Sequence, residues 1–190
     1  MVVSTKQVDA PTFTSVVATS ELKTHLRITH SDDDTYIGVL RDAACEFVED
    51  YTNRSITTPR TFEFNVDQFR GTIELPIGPL SSVTSISYKK SKSATDTFLA
   101  GADFYVDLER TPAVLRFPNP PTADPQAISP IRIVAEVGAD RVPAKVKQAI
   151  FLLVAHWYEN RQSVVTGTIA TEVPLGIHSL LNPHRIISMA

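Results

Sequence analysis

The stretch "VPAKVKQAIFLLVAHWYENRQ", Val142 to Gln162, decides the fold. Pro143 stands in its first turn, where a missing N–H costs nothing. Val146, Ala149, Ile150, Leu153, Val154, Trp157 and Tyr158 then recur at three- and four-residue steps. That period is helical, and it gathers the apolar side chains on one face. Lys145, Lys147, Gln148, Glu159 and Arg161 fall mostly off that face. So apolar a stripe has to be covered by another helix.

The covering helix lies far upstream, in "SDDDTYIGVLRDAACEFVEDYTNR", Ser31 to Arg54. Ile37, Leu40, Ala44, Phe47, Val48 and Tyr51 keep the same period, which predicts a helix over 33–52. Ser31 or Asp32 suits its N-cap, and the aspartates suit the positive end of its dipole. Trp157 is expected to share a core with Leu40 and Phe47. A shorter helix precedes it, capped by Thr19 or Ser20, with Leu22, Leu26 and Ile28 on its apolar side.

Between the outer helices the pattern changes to period two. "RTFEFNV", "TIELPI", "VTSISYKK", "DFYVDL", "AVLRFP" and "IRIVAEV" are β-rich runs separated by Gly, Pro, Asn and Ser. About five to six strands are expected, antiparallel because no helix-length period interrupts them. The expected fold is therefore α+β. It is a small helical bundle, two N-terminal helices plus one long C-terminal helix, with an inserted antiparallel β-domain and an extended C-terminal tail. The boundaries read 1–19 for an extended N-terminal arm, 20–57 and 139–162 for the helical core, 58–138 for the β-insertion and 163–190 for the tail. The arm's valines and hydroxyls suit adding a strand to a neighbour, or a frayed end.

Composition excludes several classes of function. With 190 residues, 43% hydrophobic and 21% charged, the chain can bury a real core. A net charge of -3 argues against a protein whose main task is gripping phosphates. Cys45 is the only cysteine, so neither an internal disulfide nor a cysteine zinc cluster can form. No basic segment followed by an apolar block opens the sequence, so no secretory leader is expected. No apolar run is long enough to cross a bilayer, and no membrane partner is expected.

No catalytic, metal or cofactor site is expected. Asp32, Asp33 and Asp34 lack the alternate spacing and glycine turn of a calcium loop. His156 and Glu159 lie one helical turn apart, but position 160, where a zincin has its second histidine, is Asn. His25, His30, His178 and His184 have no metal spacing, and no G-x-S-x-G, P-loop or G-x-G-x-x-G occurs. Three other groups stand out. Tyr158, Glu159 and Arg161 mark the rim of the last helix, a candidate subunit interface, with Arg161 placed to stack on Trp157 or Tyr158. Ser31 to Arg54 holds seven acidic residues (Asp32, Asp33, Asp34, Asp42, Glu46, Glu49, Asp50) against Arg41 and Arg54. A tail with hardly any charge still carries Ile169, Val173, Pro174, Leu175, Ile177, Leu180 and Leu181, with Arg185 near its end. Spaced apolar residues of this kind suit a segment that orders on a partner, and its removal from Ser163 onward should leave a folded subunit.

An ordered series of short motifs then points to a family. It runs from Ser20-Glu21-Leu22-Lys23-Thr24-His25-Leu26-Arg27-Ile28 and Asp32-Asp33-Asp34 to Ala43-Ala44, Val48-Glu49 and Tyr51-Thr52-Asn53-Arg54. It continues with Ile73-Glu74-Leu75-Pro76, Pro79-Leu80-Ser81-Ser82-Val83 and a strand ending at Tyr88. It closes with Val142-Pro143, Lys147-Gln148-Ala149-Ile150, Leu152-Leu153-Val154, His156-Trp157-Tyr158-Glu159-Asn160-Arg161, Val173-Pro174-Leu175-Gly176 and Leu180-Leu181-Asn182-Pro183. In this order the motifs resemble the head–tail connector (adaptor, or head-completion) family of tailed bacteriophages and related gene-transfer particles, in its long form with a β-insertion. Single motifs are weak; the series spans roughly Ser20 to Arg185. One departure is Gly138-Ala139, where an aromatic commonly follows the glycine.

The resemblance implies a structural virion protein with no catalysis, assembled in the bacterial host cytoplasm and placed in the neck between capsid and tail. It implies a ring with neighbouring copies of itself, usually of about twelve subunits, joined head to tail. The ring would sit beneath the portal protein, offer a platform to a tail-side connector, stopper or tail terminator, and continue the channel for double-stranded DNA without reading its sequence. The uncharged tail would then be the portal-docking arm. For Asp42, Glu46, Glu49 and Asp50 a solvated helix face is the default reading; if that face lined the channel, they would repel the DNA backbone and let it slide. Two other readings stand beside this one: a host-type adaptor that binds peptides on its β-edge, and an enzyme built from His25, His156, Glu159 and the aspartates.

Overall fold

The protein is described by a computed structural model, covering residues 2–91, 96–139, 141–161 and 175–187. The chain divides into two compact units. The β unit takes residues 1–11, 58–140 and 186–190, and the helical unit takes 12–57 and 141–185.

In the helical unit, α1 (Thr19–Leu26) and α2 (Asp34–Thr52) precede the β-insertion, and α3 (Ala144–Glu159) follows it. Ile37, Leu40, Ala44, Cys45 and Val48 of α2 meet Val146, Ala149, Ile150, Leu153 and Val154 of α3 in one core. Leu22 of α1 completes it. Trp157 is half-buried and meets Phe47 edge-on at 6.4 Å. The cap of α1 differs from expectation. Ala18 is its N-cap, and Glu21 supplies the capping acceptor, taking the Ala18 N–H at 3.0 Å. Both α1 and α2 stop at a left-handed residue, Arg27 (φ 58°) and Asn53 (φ 52°), which frees the chain to turn.

Two expectations about the ends of the chain need correcting. Residues 163–190 are not one extended tail: α4 (Leu175–Leu181) and a 3-10 turn (Asn182–His184) fold onto the helical core. Ile177 and Leu181 are fully buried there, because their i, i+4 spacing gives even a two-turn helix an apolar side. Removing everything after Gln162 would therefore strip the core. Nor are residues 1–19 one arm. Phe13, Val16 and Val17, around a 3-10 turn (Phe13–Ser15), are buried in the helical core.

The remaining part of that arm, β1 (Val2–Gln7), adds a strand to this chain's own sheet, antiparallel to β2. The β unit holds β2 (Arg60–Val66), β3 (Thr72–Leu75), β4 (Leu80–Tyr88), β5 (Thr97–Phe98), β6 (Tyr105–Asp107), β7 (Ala113–Arg116) and β8 (Ile131–Val137). One sheet has the order β1-β2-β8-β4-β5 and the other β3-β7-β6, and all pairings are antiparallel. Strict alternation sends Phe62, Phe64 and Val66 inward beside Ala135, Ile133 and Ile131. Ile73, Leu75, Leu115 and Phe117 meet them to form a second core. The insertion starts and ends on one hydrogen-bonded pair of strands, with Arg60 opposite Val137.

Candidate assembly surfaces

The rim of α3 is tied to the start of α2. Tyr158 Oη donates to Asp33 Oδ2 at 2.5 Å, and an Arg161 terminal nitrogen donates to Asp33 Oδ1 at 3.4 Å. The Arg161 guanidinium lies over both Tyr36 (4.7 Å) and Tyr158 (5.1 Å). Its aromatic partners are thus two tyrosines, Tyr158 as expected and Tyr36 in place of Trp157. Asp33 is the N-cap residue of α2, but its carboxylate makes no cap bond and instead accepts from Tyr158 and Arg161, pinning the two helix ends together. Tyr158 and Arg161 are engaged within the chain, and Glu159 is exposed.

These bonds set a pH dependence. The Tyr158 hydroxyl, with help from Arg161, holds the Asp33 carboxyl below its usual range, while the same bond raises Tyr158. A lowered acid stabilises the fold above its unfolded pKa and loses that contribution as pH falls through the folded value. A raised phenol contributes below its unfolded pKa, and that contribution fades as pH rises through the folded one. The Asp33–Tyr158 pair therefore counts between roughly pH 4 and pH 10. Asp33→Asn should flatten the acid limb of the stability profile, measured as the urea midpoint stepped downward from about pH 6 through the aspartate range. An acid limb as steep as that of the wild type would show that this pair carries none of it.

The C-terminal segment is held at the other end of α2. Tyr51 Oη donates to Asn182 Oδ1 at 2.6 Å, and Arg54 Nε donates to the His184 carbonyl at 2.6 Å. His178 packs against Tyr51 at 5.0 Å, and the exposed Arg185 lies over the same ring at 5.4 Å. Burial, with Arg54 and Lys145 nearby, pushes the His184 imidazole below its ordinary pKa. Of the tail residues expected to dock, Ile177 and Leu181 are core and Leu180 is half-buried against it. Leu175 begins α4, and Ile169, Val173 and Pro174 lie outside the described residues.

The four acidic residues of α2 are not equivalent. Asp42 pairs with Arg41 at 2.8 Å, and Arg41 is only 7% exposed. Glu49 Oε1 accepts the Ile56 N–H at 2.8 Å and so shapes the turn that leaves the helix. Sequence reasoning missed both structural uses, although the Arg41–Asp42 adjacency was a signal. Glu46 and Asp50 are exposed on the same side as Val39, which is 60% exposed.

Cys45 is buried, and burial beside acidic neighbours pushes its thiol up to about 12, far from a nucleophile's range. Among the described residues no group of His, Cys, Asp and Glu could hold a metal ion, and no helix is long and apolar enough to cross a membrane. His156 lies beside Asn160, which donates to its carbonyl at 2.9 Å.

Comparison with solved structures finds the same fold in chains of gene transfer agent particles. A chain of the virion of a native gene transfer agent particle aligns with TM-score 0.77 at 21% identity, over 98% of this chain and 97% of that one. Chains from the neck of an empty particle of that kind, computed with C6 symmetry, and from the neck of a native one, computed with C12 symmetry, align with TM-scores of 0.74 and 0.73. Their identities are 20% and 21%, again over 98% of this chain and 97% of each of theirs. No curated protein matches the sequence. The family model for head completion protein matches residues 15–187. Because that match runs through the helical unit and the β-insertion alike, the chain belongs to the head completion protein family.

Proposed function

We propose that this chain is a structural connector in the neck of a phage-like or gene-transfer particle. Copies of it form a ring between the portal protein and the next component on the tail side, and the ring continues the DNA channel. The observation that carries this reading is the family match over residues 15–187. The fold shared with chains from particle necks supports it, and one of those necks was computed with C12 symmetry. A net charge of -3 suits a channel through which DNA passes without being gripped. The Cys45 thiol, pushed to about 12, and the engaged Tyr158 and Arg161 suit a scaffold rather than an enzyme.

The test is to mix the purified chain with portal rings and image the product by electron microscopy. The expected result is an added ring with a central hole on the portal face. A folded chain that leaves every portal bare would overturn the reading.

A further inference from the structure

A groove of about 570 Å³ runs along α1. Ser20, Lys23, Thr24, Arg27, Ile28 and Asp34 are among its walls. Lys23 is committed to Asp34 at 2.7 Å, so the charge the groove offers a partner is that of the exposed Arg27. Half-buried Ile28 adds apolar surface beside it. The outward stripe of α2 has the opposite character: carboxylates at Glu46 and Asp50, two and three turns along the same face from Val39, a bare apolar side chain at 60% exposure.

The two surfaces lie on different sides of the helical unit. Arg41 reaches Thr19, a groove residue, at 3.4 Å, so α1 packs on the Arg41 side of α2. At about 100° per residue, Val39 points about 160° away from Arg41. A surface and its complement on nearly opposite sides of one body make a joint that repeats head to tail.

We propose that the α1 groove receives the Val39–Glu46–Asp50 stripe of α2 from a second copy of this chain. Arg27 meets the carboxylates, and Val39 is covered on the Ile28 side. This rests on the ring reading above and names its joint. It moves Glu46 and Asp50 from the channel wall to the seam between subunits. A water-filled channel gives no reason for an exposed valine on the same face as the acids, two turns before Glu46, whereas an interface that joins an apolar contact to charged ones does.

The test uses charge reversal in the full chain. Arg27→Glu, and separately Glu46→Lys with Asp50→Lys, should each cut ring-bearing portals by about tenfold or more while thermal melts stay close to wild type. Mixing the two variants should restore rings, because each then meets a complementary surface only on the other. Rings formed normally by either variant alone, or a mixture that stays as poor as its components, would overturn the joint. Should the α2 stripe face DNA instead, Glu46→Lys with Asp50→Lys would assemble normally and hold DNA more tightly. A wild-type chain that never forms rings sinks both this joint and the ring reading; a wild-type ring indifferent to the variants sinks the joint alone.

Discussion

Leu181→Ala is expected to destabilise the helical unit by about 2–5 kcal/mol, the range for truncating a buried leucine. Leu181 is fully buried in the core made by α2 and α3, so the lost methyl groups leave a cavity as well as losing their transfer free energy. The surrounding segment has little freedom to collapse into that cavity, being tied at Tyr51–Asn182 and Arg54–His184. Trp157, the only tryptophan, packs against this core and makes its fluorescence a probe of this unit alone. A urea titration followed at that signal should show the midpoint fall. No change would mean that α4 leaves the core in solution, as a docking arm would.

Phe64→Ala should cost the β unit about 3–5 kcal/mol, among the largest effects of any single truncation here. Phe64 is fully buried, lies opposite Ile133 across the β2–β8 pair, and stacks beside Phe62 at 6.3 Å. No smaller residue at this position keeps the two sheets filled, because the ring is among the largest side chains wholly inside the protein. Far-UV circular dichroism at strand wavelengths during denaturation reads this loss. A variant within about 1 kcal/mol of wild type would contradict the packing described.

Periodicity made α2, α3 and the long strands legible, because each buries a full face. The α2 prediction over 33–52 misses its start by one residue, since Asp33 stays outside the helix and bonds Tyr158 instead. What escaped was short or distant. The sequence of α4, "LGIHSLL", is too brief for a helical period to rise above its apolar content. The partner of β1 lies some sixty residues on, at Asn65 and Phe64, and no local pattern announces a long-range pairing. The two-residue β5 carries no alternation at all. The acids of α2 looked alike because sequence shows sign but not partner, and only the fold assigns Asp42 to Arg41 and Glu49 to Ile56. Arg161 stacks on Tyr158, one helical turn away in the sequence, yet its other aromatic partner, Tyr36, sits on the far side of the insertion.

The register that sets Arg60 opposite Val137 has a consequence for how the helices find each other. Helices α2 and α3 are separated by roughly 90 residues of chain, and closing so long a loop costs entropy that grows with the logarithm of its length. Once β2 has zipped onto β8, the tether between the helices shrinks to the few residues on either side of that pair. Going from about 90 to about 10 flexible residues lowers the closure cost by about 2 kcal/mol. The β-insertion therefore acts as a clasp on the helical unit through chain entropy alone, and Phe64→Ala should lower the tryptophan-detected midpoint as well as its own.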